Sequence, residues 1–470
     1  MKEKKAKGIC HEGSARGDMI SKLPDSLISR ILLYLPTKEV VRTSVLSNKW
    51  KSVWLLVPEL GLDSSEFPDY NAFVSFMDRF LDFYREEKSC LDKLELRIRK
   101  DKNDQSCVTR WIDFVATHKV KRLDVEYLYV HRKCFEVMPV SLYVCETLLY
   151  LRLNRVFVGS FESVSLPRLK TMSLEKNLYA NATGLESLIL SCPVLEDLSI
   201  IRRLDDNVKV LRVLSQTITT LRVGFDRSGD HGFFYFNWET LALFIDAPRL
   251  KYMNFENERS PNQFIRNLGS LVKVNFVGDF MLYYNDRVAI SKHQMVHRFL
   301  TGISRVRDLI ISETTMELIN TYLKVVEPLP QFCNLSSLEA EVRLKTVEIL
   351  EILPTLLESF PNLKSIVLGL TYSMVKTKQM TVSSMPQCLL SSLEFVDIKS
   401  QCQAELVAME LAKYFAENSA ILKKLVLSWK GSNSILEEDS VLRDLLALLK
   451  QPSTCQIEVC GPLKRLVSGL

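Results

Sequence analysis

Glycine is scarce in this chain, 16 of 470 residues, half of the ~7% usual in globular proteins. Folds whose cofactor loops are built on glycine turns are disfavoured, and neither G-x-G-x-x-G nor G-x-x-x-x-G-K-[ST] occurs, so no phosphate cradle is expected. Paired cysteines are also lacking. The 11 cysteines run from Cys10 to Cys460 and never form C-x-x-C, which reads as reduced core residues of a cytoplasmic or nuclear protein, not as a disulfide framework or zinc site. No window reaches the roughly 18 uninterrupted apolar residues of a membrane span, and the start has no apolar signal segment, so no membrane partner is expected. Charge of one sign is missing too. Lys and Arg number 61 against 56 Asp and Glu, a net +5, which is no footprint for nucleic acid. Residues 1–18, with Lys2, Lys4, Lys5 and Lys7, are expected to form a disordered basic lead.

Catalytic signals are equally thin. His293 and His297 have the i, i+4 spacing of a zincin helix, but Gln294 stands where the general-base Glu belongs, so a structural role is expected. No Cys nucleophile is placed beside a His base. The reading is a non-enzyme with no catalytic residues, no metal and no cofactor.

Leucine is what the chain has in excess, 72 of 470 residues. The 47% hydrophobic content suffices for a large core and excludes global disorder. Residues 20–60 read as three short helices. Pro24 suits a first helical turn, and Leu27, Ile28, Ile31, Leu32 and Leu35 form one broad apolar stripe ended by Pro36. Thr37 and Ser47 are expected to cap the second and third helices, the third placing Trp50, Val53 and Trp54 on one face. So short a segment cannot bury this much apolar surface alone. Either it caps the rest of the chain, or it docks a partner.

The string Leu23-Pro24-Asp25, Ile31-Leu32, Leu35-Pro36-Thr37-Lys38, Val41-x-Thr43-Ser44-Val45-Leu46-Ser47, then Trp50 and Trp54, resembles the F-box of plant F-box proteins over some 40 residues. The resemblance implies docking onto the Skp-type adaptor of a cullin-RING ubiquitin ligase, the SCF complex. Leu23, Pro24, Ile31, Leu35, Val41, Leu46, Trp50 and Trp54 match the signature positions and are the candidate adaptor-binding residues. Some will pack inside and some will face the adaptor. Asn48-Lys49 departs from the Lys-Arg more frequent in the plant pattern, which weakens one rim position.

The template L-x-x-L-x-L, with other apolar residues allowed, recurs about thirteen times. Its second position falls at Leu94, Leu123, Leu151, Met172, Leu198, Leu221, Met253, Val274, Leu309, Leu338, Ile366, Val396 and Leu425. The mean step of about 28 residues lies at the upper end of leucine-rich repeats. Pro167, Pro193, Pro248 and Pro361 precede four of the units, where proline stops a helix and favours extended chain. Each unit is expected to be a parallel strand followed by a helix or loop, stabilised by stacking on its neighbours. The asparagine that usually closes the motif is present at Asn177 and mostly absent elsewhere, as in the degenerate leucine-rich repeats of plant F-box proteins. The block Met385–Ile398, Glu410–Phe415 and Asn418–Leu425 resembles the FBD domain that follows such repeats, and reads as strand, amphipathic helix, strand.

The fold expected is α/β, an irregular leucine-rich-repeat solenoid of parallel sheet plus helices, with a small all-α N-terminal F-box. Its spans are 1–18 for the lead, 19–66 for the F-box, 67–380 for the repeats and 381–470 for an FBD domain continuing the solenoid. In the template the leucines face the core, so the intervening residues face the exposed concave sheet. Triplets such as Tyr150, Arg152, Asn154 and Tyr252, Asn254, Glu256 suit a protein surface. Glu95, Asp124, Arg152, Arg222, Asn254 and Asn275 are the candidate target-binding positions. The function implied is the substrate-recognition subunit of an SCF-type ligase, binding the Skp-type adaptor, through it cullin, and an unknown protein target. The alternative is a non-catalytic scaffold whose F-box is only an N-terminal cap.

Overall fold

The computed structural model describes residues 20–460 apart from 88–90, 102–103, 105, 130–133, 160–162, 227–240, 258–261, 278–296, 298, 326–328, 345–348, 372–384, 402–403 and 431–454. The expected basic lead, His293 and residues 461–470 lie outside the described residues. No described helix is long and apolar enough to cross a membrane.

Among the described residues, fifteen strands, each parallel to the next, build one sheet. All thirteen expected anchors occupy the second position of a strand, and the register sets them side by side: Leu94 against Leu123, Leu123 against Leu151, and so on to Val396 against Leu425. Alternation turns these residues and those two positions later into the interior, giving strands such as Thr171–Glu175 and Ser365–Thr371 a strict half-buried, buried pattern. Two further strands extend the row. Leu60 of Glu59–Asp63 pairs with Leu94, and Ile457 of Gln456–Cys460 pairs with Leu425. The first lies inside the 19–66 span expected for the F-box, yet it pairs with the solenoid's sheet. Strands Phe395–Gln401 and Lys424–Lys430 lie in the sheet with helix Glu405–Asn418 between them, the order of strand, helix and strand expected of this block.

The four prolines do something more specific than stop a helix. Leu169 N–H bonds the Leu166 carbonyl at 3.3 Å, Leu195 the Cys192 carbonyl at 3.2 Å, Leu250 the Ala247 carbonyl at 3.1 Å and Leu363 the Phe360 carbonyl at 3.2 Å. Each proline is thus the second residue of a β-turn, the position its fixed φ suits. The turn's outer residues are buried, so it feeds two apolar side chains into the core before each strand begins.

Among the described residues, a second parallel sheet of three strands, Val210–Leu214, Ala242–Asp246 and Asn262–Arg266, lies in the connections of the middle repeats, where a helix or loop is expected. Connections such as 203–219 and 257–272 are short. An extended chain advances about 3.3 Å per residue against 1.5 Å in a helix, and so crosses the layer with fewer residues. Asn177 closes its repeat from within: its Oδ1 accepts from Val156 N–H at 2.9 Å, and its Nδ2 donates to the Leu153 carbonyl at 2.9 Å. Asn177→Ala strands both buried groups and is expected to cost about 2–3 kcal/mol, seen as a lowered urea midpoint. Asn181, a sequon residue, caps helix Ala182–Leu190 by accepting from Gly184 N–H at 2.7 Å.

The N-terminal module holds helices α1 (Asp25–Leu32), α2 (Thr37–Arg42) and α3 (Trp50–Val53). Pro24 and Pro36 take the cap positions of the first two, and Lys49 that of the third, so neither Thr37 nor Ser47 caps. Thr37 starts α2 and turns its hydroxyl to Gly61 N–H at 2.9 Å. The module has its own core of Ile28, Leu32, Val40, Trp50, Val53 and Val57, while one continuous core runs through the solenoid; Trp54 packs against both.

Candidate functional site

Two surfaces carry candidate residues, one on the helical module and one on the concave sheet. On the module, the expected broad stripe is split in two. Ile28 and Leu32, four residues apart, face inward, while Leu27 and Ile31, with the same spacing, face solvent. Beyond α1 the chain exposes Tyr34 (90%), Leu35, Val45 (84%) and Leu46 (65%). So dense a cluster of large apolar side chains in water is the mark of an interaction surface.

The eight residues at signature positions divide accordingly. Pro24, Ile31, Leu35 and Leu46 are exposed, and Leu23 is half-buried against the module core. Trp50 is buried, its indole N–H donating to Ser21 Oγ at 2.8 Å, so it shapes the surface from behind and cannot itself meet a partner. Val41 is half-buried beside a cleft toward the solenoid. Trp54 also turns away from the outer face: it stacks on Phe76 and Phe80 of helix α4 (Tyr70–Glu87), centroids 6.3 and 6.0 Å apart. Lys49, at the departure from the plant pattern, ties the chain entry together, its Nζ donating to the carbonyls of Ser21 at 2.9 Å and Leu23 at 2.7 Å and lying 3.3 Å from Asp25. Leu27, Tyr34 and Val45 were missed from the sequence. Leu27 was legible as the i+4 partner of Ile31, whereas Val45 sits beyond α2 in the 3-10 turn Thr43–Val45.

The Trp54 stack is one of several ties between module and solenoid. Tyr84 Oη donates to the Val57 carbonyl at 2.8 Å, and Lys38 pairs with Glu66 at 3.2 Å.

On the concave face the six candidate target-binding residues all fall at the third position of their strands. They form one row in which Glu95 neighbours Asp124, Asp124 neighbours Arg152, Arg222 neighbours Asn254, and Asn254 neighbours Asn275. Arg152 is not a free cation. Its guanidinium contacts Asp124 at 3.1 Å, Glu126 at 3.3 Å and Glu175 at 3.2 Å, and Asn154 Nδ2 bridges Glu126 and Glu175 at 3.4 and 3.3 Å. Burial would raise the Glu175 carboxyl, but hydrogen bonds from Arg152 and Ser173 outweigh it and hold the group below the usual carboxylate range. Asp124 goes the other way: burial, with Glu95 and Glu126 adding, pushes it up against the pull of Arg152. Arg222 is bound to Glu256, and Glu95 lies 3.3 Å from Lys93. Glu126 and Glu175, at fifth positions like Asn154 and Glu256 of the expected triplets, were missed, although the same alternation puts them on the concave face. Gly224 shares that position, and a Cβ there would overlap the Glu256 carbonyl. Gly224→Ala is therefore expected to lower the melting temperature by several degrees, measured by circular dichroism.

His297 is partnered, its Nδ1 lying 2.7 Å from the Tyr322 hydroxyl. Among the described residues no group of three or more His, Cys, Asp or Glu could hold a metal ion.

Comparison with known proteins adds identity to this geometry. Residues 20–59 match the F-box domain, residues 108–269 match the LRR repeats of FBD-associated F-box protein At5g56370, and residues 381–427 match FBD. FBD-associated F-box protein At5g22730 of Arabidopsis thaliana is 55% identical, covering 94% of this chain and 94% of its own length. F-box/FBD/LRR-repeat protein At5g22700 of the same organism is 44% identical over 95% of this chain and 99% of its own. The chain belongs to the F-box/FBD/LRR-repeat protein family that these Arabidopsis proteins represent.

Proposed function

We propose that the protein is the substrate-recognition subunit of an SCF-type cullin-RING ubiquitin ligase, acting in the cytoplasm or nucleus. The F-box implies a Skp-type adaptor as partner, and in this reading the adaptor links the chain to cullin while the concave sheet holds a protein target. The observation that carries the reading is the exposed apolar cluster of Leu27, Ile31, Tyr34, Val45 and Leu46 on the outer face of the module. Catalysis would then belong to other subunits, and this chain would contribute proximity. By tethering the target it raises the effective concentration of target lysines near a ubiquitin-charged enzyme, which needs no reactive group here. Titrating the folded chain with purified Skp-type adaptor tests the reading. A saturable one-to-one complex is expected, and no complex would overturn it.

A capping role has its own support, because α2 and Trp54 cover the outermost strand Glu59–Asp63 and the α4 aromatics, protecting a sheet edge that would otherwise invite pairing. Deleting the module would uncover these groups whether or not it docks an adaptor. Point substitutions on its outer face separate docking from capping.

A further inference from the structure

Beneath α2 lies a cleft of about 720 Å³, within the ~300–1,000 Å³ of ligand pockets. The module forms one wall with Leu33, Leu35 and Val41, while Trp54, Phe67 and Phe76 form an aromatic floor and the first two strands of the sheet close the far side. The three floor aromatics are only half-buried, so their ring surface is available inside the cleft. Gly61 and Glu95, members of the concave third-position row, belong to the lining. The cleft is thus continuous with the concave trough and ends it on the N-terminal side.

Charge at the mouth cancels. Lys38, Arg42, Lys93 and Arg97 are matched by Glu59, Asp63, Glu66 and Glu95, and Lys38–Glu66 at 3.2 Å, Lys93–Glu95 at 3.3 Å and Arg97–Glu126 at 3.5 Å are already paired. An ionic ligand group would have to break such pairs, whereas an uncharged apolar group gains ring contact and loses only water.

We propose that this cleft anchors a bulky uncharged side chain, aromatic or branched aliphatic, from a protein segment lying along the concave trough. The inference rests on the reading of the concave sheet as the target-binding surface, and it names the chemistry by which the N-terminal end of that surface selects a target. The balanced mouth rejects a carboxylate or ammonium at the anchor position. Gly61 keeps the entrance open: a Cβ there would find Thr37 Oγ1 at 3.8 Å and Glu95 Cβ at 3.9 Å, ordinary contact, so alanine fits and a longer side chain would fill the cleft.

The test is ¹⁹F NMR of the full chain carrying 5-fluorotryptophan, with the Trp54 resonance assigned through Trp54→Phe. N-acetylphenylalaninamide, a neutral peptide mimic, is expected to shift that resonance saturably, and N-acetylargininamide and phenylacetate are expected to bind at least tenfold more weakly. Gly61→Leu should abolish the shift and Gly61→Ala should keep it. No shift by the neutral amide, or an equal shift in Gly61→Leu, overturns the proposal. Preferential binding of phenylacetate would make the cleft a site for small aromatic acids and would equally overturn it, as would displacement of the amide by the Skp-type adaptor. Adaptor titration of the same sample reads the underlying function separately, since adaptor can bind while the cleft stays empty.

Discussion

Replacing Ile31 and Leu46 together by aspartate is expected to lower affinity for a Skp-type adaptor at least 100-fold, about 3 kcal/mol or more, while leaving the fold intact. Both side chains already face water, Ile31 46% and Leu46 65% exposed, so the exchange removes little packing. Their loss matters only where a partner would have covered them, and there each substitution also buries an unpaired charge. Isothermal titration gives the affinity, and a melting temperature within about 2 °C of wild type shows that the module still folds. Trp50→Ala is the contrasting control. It opens a cavity in the module core and removes the indole hydrogen bond to Ser21 Oγ, at a cost of about 3–5 kcal/mol, so its loss of adaptor binding should track unfolding and recover at lower temperature. Affinity within threefold of wild type for the Ile31, Leu46 double variant would sink the proposed docking face.

The second large effect concerns the solenoid alone. Asp206→Ala is expected to destabilise the middle of the array by about 3–5 kcal/mol. Arg202 and Asp206 are each 99% removed from solvent and joined by two hydrogen bonds, Nε to Oδ2 at 2.7 Å and Nη2 to Oδ1 at 3.0 Å. The guanidinium also donates to the Val208 carbonyl and stacks over Phe225, 4.9 Å from its centroid. Removing the carboxylate takes both Asp206 hydrogen bonds from a buried cation, a far greater penalty than the net worth of the intact pair. Because repeat stability is a sum of neighbour interfaces, amide exchange should quicken most in the strands Asp197–Arg202 and Thr220–Phe225. Combining Arg202→Met with Asp206→Leu should restore most of the lost stability, since both charges are then gone. A double variant as unstable as Asp206→Ala would show that packing, and not the broken ion pair, sets the cost.

Arg202 also shows where the repeat pattern stops being informative. It occupies the sixth position of its strand, an inward position that the template fills with apolar residues. A lone arginine there looks like a lapse in the repeat until the chain folds back and brings Asp206 four residues later against it. The concave cluster around Arg152 has the same character. Alternation put Asp124 and Arg152 on one face, where each looks available to a ligand. Parallel pairing in register places them and Glu175 within hydrogen-bonding distance, so a residue that looked available is held by its own neighbours.

The strand ladder was legible from Leu94 to Leu425 because alternation is local: one residue in two must be apolar wherever one face of a strand is buried, and repetition compounds the signal. At the two ends that signal fades. Glu59–Asp63 carries only Leu60 and Leu62 inward, behind a helical segment that claims the eye, and Gln456–Cys460 has only Val459 fully buried. The central outer strands escaped for another reason, since a short connection of mixed polarity has no helical or strand period long enough to read.

By itself the sequence determined the repeat register, the three-helix module, the order of the parts and the family to which they point. Tertiary structure alone decided which apolar side chains of the module face water, that Trp54 belongs to the junction and not to the outer face, that Arg152 is neutralised by its neighbours, and that a cleft opens beneath α2. Periodicity sets the phase of residues along one element. It does not say which other element will arrive to cover a given face, and exposure, ion pairing and cavity shape are all properties of that arrival.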